Sequence, residues 1–195
     1  MDSIDYYDQN ASTYYDKTID VDMTKIMKPF IELLPENAEV LDLGCGSGRD
    51  TLTLDEAGFS VTPLDGSKEM CRLAEIYTDK DILHLTFDEI DFQEVFDGIW
   101  ACASLVHTPH KKMPELLDRL VTALVPGGIF YFSVREGDRN GWDGTREFYD
   151  YSEDRLRDLL SSVKGVKIVD VWTTDALVDD ENRSQWFNIL LQKED

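Results

Sequence analysis

Three glycines alternate with small residues in Gly44-Cys45-Gly46-Ser47-Gly48, directly after the apolar run Val40-Leu41-Asp42-Leu43 and just before Arg49-Asp50 and a helical pattern. Glycines at such a strand end admit positive backbone dihedrals and carry no side chain, so a ligand can rest against the main chain. The chemistry that suits this arrangement is the binding of a nucleoside cofactor. Dinucleotide loops use a related turn, spaced Gly-x-Gly-x-x-Gly and followed about 20 residues later by a ribose-binding acid. Here the spacing is Gly-x-Gly-x-Gly, and the acid is Asp65, which closes the apolar stretch 59–64. Asp65 would serve a ribose in either case, whereas Asp42 separates the two. Its charge, two residues before the first glycine, would repel a pyrophosphate and attract an ammonium, and the loop holds no lysine for a phosphate. A positively charged, phosphate-free nucleoside fits better, and S-adenosylmethionine is the common one.

A second set of residues could act on whatever the cofactor meets. His107 follows Ser104-Leu105-Val106, where an imidazole could take a proton from an oxygen or nitrogen near neutral pH; a histidine bonded to backbone in the loop before Pro109 explains it equally. Tyr6, Tyr7, Tyr14 and Tyr15 crowd a short amphipathic stretch, with Ala11 and Tyr15 one helical turn apart. Arg135 and Arg146 flank the charged, glycine-containing segment 136–144, long enough for a lid, and a planar guanidinium suits a carboxylate or phosphate. An acidic small-molecule acceptor follows from that pairing; salt bridges to Glu136, Asp138 or Asp150 are the plainer account. Trp172, with Trp186 and Asn188, would line the same pocket or simply alternate between strand faces.

Four stretches in order resemble the motifs of class I S-adenosylmethionine-dependent methyltransferases. They are Asp42-Leu43-Gly44-Cys45-Gly46-Ser47-Gly48, Val61-Thr62-Pro63-Leu64-Asp65-Gly66-Ser67, the run from Phe96-Asp97-Gly98 through Ser104-Leu105-Val106-His107, and Leu124-Val125-Pro126-Gly127-Gly128-Ile129-Phe130-Tyr131. The segment Ile99-Trp100-Ala101-Cys102-Ala103-Ser104-Leu105 is similar to that of small bacterial members. The resemblance implies S-adenosyl-L-methionine as cofactor and direct methyl transfer to a small-molecule acceptor. It implies that Gly44, Cys45 and Gly46 hold the methionine moiety, with Asp42 supporting its amino group, and that Asp65 takes the ribose hydroxyls. Gly66, Ser67 and Met70 then lie along the adenosine, Phe87 and Asp88 border the adenine, and Ala101 and Ser104 close the site from the fourth strand. Tyr15 is the expected cap from the amino-terminal segment. A noncatalytic cofactor-binding module and a nicotinamide-dependent oxidoreductase are the competing readings.

Composition bounds the partners. The chain has 195 residues, 42% apolar, with 40 acids against 19 lysines and arginines and a formal charge of −21. Such a field repels nucleic acid, so a nucleic-acid acceptor is not expected. Cys45, Cys71 and Cys102 are odd in number and lack Cys-x-x-Cys spacing, which indicates neither a disulfide framework nor a metal site. No apolar run approaches the roughly 18 residues of a membrane span, and the amino terminus is polar. A soluble, cytoplasmic protein is expected; the oligomeric state is open.

The elements that must position these residues alternate between helix and strand patterns, which predicts an α/β fold: a Rossmann-like, seven-stranded, mostly parallel sheet with helices on both faces. One domain, 1–195, is expected, with residues 1–35 as a helical cap on a core of 36–195. Helices are predicted at 3–16, 20–34, 67–77 with Ser67 as N-cap, 111–123 and 152–162. Strands are predicted at 39–43, 59–64, 81–87, 98–103 and 128–134. A terminal hairpin of 166–172 and 184–192 follows, and the resemblance makes the seventh strand antiparallel.

Overall fold

The computed structural model of the chain describes residues 2–177 and 184–194. Helix α1 (Ser3–Thr18) opens it, capped reciprocally by Asp2 and Asp5, and α2 (Thr24–Ile31) follows. Then come β1 (Glu39–Leu43), α3 (Arg49–Glu56), β2 (Ser60–Asp65), α4 (Lys68–Thr78), β3 (Leu83–His84) and β4 (Phe96–Ala101). The rest is α5 (Met113–Ala123), β5 (Leu124–Arg135), β6 (Asn140–Trp142), β7 (Glu147–Tyr149), α6 (Glu153–Ser162), β8 (Val166–Asp175) and β9 (Gln185–Lys193). Seven strands form one sheet in the order β3-β2-β1-β4-β5-β9-β8, while β6 and β7 make a separate hairpin.

The five strands from β3 to β5 pair in parallel, and β9 runs antiparallel between β5 and β8, as the sheet was expected to end. Strands buried on both faces read as nearly unbroken apolar runs. Side-chain alternation sends Leu41, Ile99 and Phe130 to one face, where they pack with Leu117, Leu120 and Leu156 of α5 and α6. Their neighbours Val40, Trp100 and Tyr131 go to the other, against Met27 and Phe30 of α2 and Leu54 of α3. Two layers of core therefore hold the central strands and fix where their carboxyl ends lie.

Several boundaries depart from the predicted ones for local reasons. The second helix is shorter than 20–34: Asp22 Oδ1 accepts the Thr24 N–H at 2.9 Å, so the helix starts only there. The third strand keeps two residues of 81–87, because Thr86 and Glu89 cap a tight turn: the Thr86 N–H and hydroxyl both donate to Glu89 Oε2, at 2.8 and 2.7 Å. The fourth strand starts and ends two residues earlier than 98–103, and Ala103 lies just beyond it with φ +55°. The segment taken for a lid, 136–144, contains the first strand of a hairpin, with Asn140 paired to Tyr149 and Trp142 to Glu147. Ser67 and Ser152 are the caps they were predicted to be, accepting the Met70 and Arg155 N–H groups at 3.2 and 3.3 Å.

Candidate functional site

The glycine loop leaves β1 pinned to β2: the Gly44 and Cys45 N–H groups both donate to Leu64 O at 2.9 Å. Gly44 has φ +73°, and a Cβ there would stand 2.5 Å from Ser104 Cβ, so the loop and the segment after β4 touch with no room for a methyl. At Gly46 (φ +55°) the nearest atom to such a Cβ is Tyr14 Cε1 at 3.8 Å, and the requirement is conformational. Its N–H donates to Asp65 Oδ2 at 2.9 Å, while Asp65 Oδ1 accepts the Ser67 N–H at 2.8 Å. One carboxylate thus ties the glycine loop to the start of α4. Burial pushes Asp65 above the usual carboxylate range, against the pull of those two backbone bonds.

Above this junction a cavity of about 430 Å³ opens at the carboxyl ends of β1, β2 and β4. Gly44, Gly46, Asp65, Gly66, Ser67 and Met70 line it, as do Phe87, Asp88, Ser104 and His107. Ser104 Oγ is buried with no hydrogen-bond partner among the described residues, an orphaned polar atom in the wall. Helix α1 closes the mouth. Its Asp8 Oδ1 accepts Ser67 Oγ–H at 2.6 Å and the Glu69 N–H at 3.2 Å.

Four residues expected at the cofactor lie outside this wall. Tyr15 faces Tyr77, with ring centroids 6.1 Å apart, and the cavity takes Tyr7 and Tyr14 from α1 instead. Their seven-residue spacing, two helical turns, was the signal that could have found them. Asp42 is buried beneath the loop, where its Oδ2 accepts Thr51 Oγ1–H at 2.6 Å. Burial, and then the neighbouring Asp50 carboxylate, push it up to about 8, so it is mostly neutral near pH 7. Asp42 therefore presents no side chain to the cavity, whose wall takes Asp65 and Asp88 among its acids. Cys45 packs behind the loop with Cys71, Ala74 and Ile82, and Ala101 is fully buried at the end of β4. Cys102 and Ala103 line the cavity in its place.

His107 is not a free base. Its Nδ1 lies 2.6 Å from Glu147 O, and a carbonyl only accepts, so Nδ1 carries the proton. Nε2 must then accept the Tyr7 hydroxyl, 2.9 Å away. Burial first, and the cations Arg146 and Arg139 after it, push the imidazole down to about 4, against the Glu147 hydrogen bond that raises it. It is neutral across the physiological range rather than poised near pH 7. Tyr7 is raised well above the usual phenol range, also by burial, and stays protonated.

A second cavity, about 530 Å³, adjoins the first, and Tyr7, Tyr14, Cys102 and Ala103 belong to the walls of both. Arg135 and Arg146 line it, with Trp186 and Asn188; Trp172 does not, since it packs on the Tyr131 face of the sheet at 6.1 Å between centroids. Tyr131, stacked on Trp100 at 3.9 Å, donates its hydroxyl to Asn188 Oδ1 at 2.7 Å. Sequence reasoning missed Lys17, Arg49 and Arg139 in this wall. They stand far apart in the chain, and no local pattern marks them.

A glycine turn after β1, an acid at the end of β2 and a cavity beside the β1–β4 crossover make up the arrangement in which doubly wound folds hold nucleoside cofactors. Comparison with known proteins narrows this. The family model for the methyltransferase domain matches residues 40–128. An uncharacterized methyltransferase of Staphylococcus carnosus is 24% identical over 78% of this chain and 81% of its own. The trans-aconitate 2-methyltransferase of Deinococcus radiodurans is 35% identical over 52% of this chain and 40% of its own. The chain spans less than half the length of that enzyme, and 44% of a Bacillus subtilis relative. Among solved structures, the Burkholderia thailandensis 1,6-didemethyltoxoflavin-N1-methyltransferase, with its substrate and S-adenosylhomocysteine bound, superposes with TM-score 0.75 at 24% identity, covering 98% of this chain and 85% of that one. The [4+2]-cyclase SpnF matches equally well, TM-score 0.75 at 14% identity over 97% of this chain and 94% of its own, so the fold by itself carries no chemistry. Over residues 40–128 the chain is thus similar to the methyltransferase domain, and it shares its fold with solved proteins of that description. Among the described residues no helix is long and apolar enough to cross a membrane.

Proposed function

We propose that the protein moves a methyl group from S-adenosylmethionine, held in the first cavity, to a small-molecule acceptor held in the second. The observation that carries this is the shared wall: Tyr7, Tyr14, Cys102 and Ala103 face both cavities, so two ligands would meet there. When bound, the sulfonium cofactor supplies an already activated methyl group, and the protein is left to align the partners and exclude water. Asp65 would accept ribose hydroxyls, the Gly44 and Gly46 backbone would leave room for a chain lying against it, and Ser104 Oγ would offer a hydroxyl without a partner among the described residues. Met70 and Phe87 supply apolar surface for a base. His107, with its Nε2 occupied, orients Tyr7, whose oxygen keeps lone pairs for an acceptor O–H or N–H. The charge of −21 argues against a nucleic-acid acceptor.

Calorimetry with S-adenosylmethionine and S-adenosylhomocysteine tests the reading, and binding in the micromolar range is expected. No heat from either at millimolar concentration would sink it, and preferential binding of a nicotinamide dinucleotide would replace it with the oxidoreductase reading.

A further inference from the structure

We propose that the second cavity is built for an acceptor bearing a carboxylate on a flat apolar body, with the Arg146 guanidinium as its anchor. This rests on the methyltransferase reading and names the substrate class for it. Acids outnumber lysines and arginines 40 to 19, so an arginine without an acid beside it is unusual in this chain. Two arginines of the cavity follow the expected pattern. Arg49 makes a two-pronged pair with Asp50 at 2.7 and 2.9 Å, and Arg139 pairs with Asp150 at 2.8 and 3.0 Å.

Arg146 does not. Its Nε and Nη1 are buried without a hydrogen-bond partner among the described residues, and its guanidinium lies over the rings of Tyr6, Phe148 and Tyr7 at 4.5, 4.8 and 5.0 Å. Ring faces attract a cation but satisfy none of its N–H donors, which keep their directional demand for oxygen. The backbone is set firmly for this purpose. Asp143 Oδ1 accepts the N–H groups of Thr145 and Arg146 at 3.0 and 3.1 Å, and the Asp143 N–H donates to Arg146 O at 3.1 Å, which locks the turn between β6 and β7. Asp143 spends its carboxylate on that turn and on Arg139 at 3.4 Å.

Position gives the anchor its meaning. The guanidinium sits over Tyr7, one of the residues common to both cavities, so an anion held there would bring the body attached to it against the wall where the methyl must cross. Tyr131 and Trp186 also line the chamber, beside polar groups that include Asp143 and Asp175, and their two rings suit a planar group. A fork of parallel donors selects carboxylate geometry over a neutral amide. The methionine carboxylate of the cofactor has the same chemistry, and the experiment separates the two sources.

Wild type, Arg146→Gln and Arg146→Lys are titrated first with S-adenosylhomocysteine and then, saturated with it, with benzoate and 2-naphthoate and their neutral amides. The expected result is that wild type binds at least one carboxylate tenfold or more tighter than its amide. Arg146→Gln abolishes that preference while S-adenosylhomocysteine affinity stays within twofold, and Arg146→Lys restores part of it. Equal binding of acids and amides, or no carboxylate binding at 10 mM, overturns the proposal. So does a parallel loss of S-adenosylhomocysteine affinity in Arg146→Gln, which would assign the arginine to the cofactor's own carboxylate. Failure of S-adenosylhomocysteine to bind wild type would instead remove the methyltransferase reading.

Discussion

Replacing Asp65 with asparagine separates its two roles, because the carboxylate ties the glycine loop to α4 and also lies in the cavity wall. Asparagine keeps one oxygen for either the Gly46 or the Ser67 N–H, and its amide then faces the other as donor against donor. The lost charge-assisted bond and the stranded N–H cost about 2–4 kcal/mol together. Burial already penalises the charge of Asp65, so neutralising it returns part of this, and the net loss is about 1–3 kcal/mol. For a chain of this length that lowers the thermal midpoint by roughly 3–10 °C. Two ribose hydroxyls would each trade a charged acceptor for a neutral one or for none, weakening S-adenosylhomocysteine about 30-fold. At a ligand concentration 100 times the wild-type Kd, the stabilisation by S-adenosylhomocysteine should fall from about 2.7 to about 0.9 kcal/mol. Differential scanning calorimetry with and without ligand reads both quantities. A lowered midpoint with undiminished ligand stabilisation would refute the ribose assignment and leave Asp65 a structural tie.

Gly44→Ala adds a Cβ 2.5 Å from Ser104 Cβ at φ +73°, and left-handed strain plus overlap should cost about 2–5 kcal/mol. Gly46→Ala, with its nearest contact at 3.8 Å, should cost only the strain of about 1–2 kcal/mol; equal losses in chemical denaturation would show that the Ser104 contact is not what excludes a side chain. Asp42, raised to about 8 against about 3.9 in the unfolded chain, makes the folded protein hold a proton that the unfolded one releases. Stability should therefore fall as pH rises between those values, by at most about 1.4 kcal/mol per unit from this group. Asp42→Asn should flatten that slope in urea titrations at pH 5, 6, 7 and 8, and identical slopes would contradict the buried, protonated state.

What could be read from the sequence was local. The glycine turn and the Ser67 and Ser152 caps each follow from a few adjacent residues, and the structure has them where the pattern put them. The misplacements arise where a distant element decides. Tyr14 rather than Tyr15 reaches the cavity because it stands two turns from Tyr7 on the docked face of α1, and which face docks is set by contacts from outside the helix, Asp8 on Ser67 among them. The short third strand turns on the Thr86–Glu89 capping pair, which interrupts the run read as strand. Asp42 is a different case: its burial beside Asp50, which raises its pKa, is a property of the packed β1–α3 corner and of no local pattern.

The same distinction governs charge as a whole. A net −21 describes the field a distant polymer meets, and excluding nucleic acid on that ground is an argument about the exterior. A ligand inside the second cavity meets another field, because Lys17, Arg49, Arg135, Arg139 and Arg146 arrive there from the end of α1, the start of α3, the end of β5 and both sides of the β6–β7 hairpin. Arg49 and Arg139 are balanced by the acids they bind, which leaves their structural work done and their charge largely spent. Arg146 is held by rings, which stabilise a cation without neutralising it. An acidic chain can therefore keep a cationic chamber, provided the cation is flanked by aromatic groups rather than carboxylates. The spacing of four tyrosines near the amino terminus records half of that device, and the fold supplies the arginine.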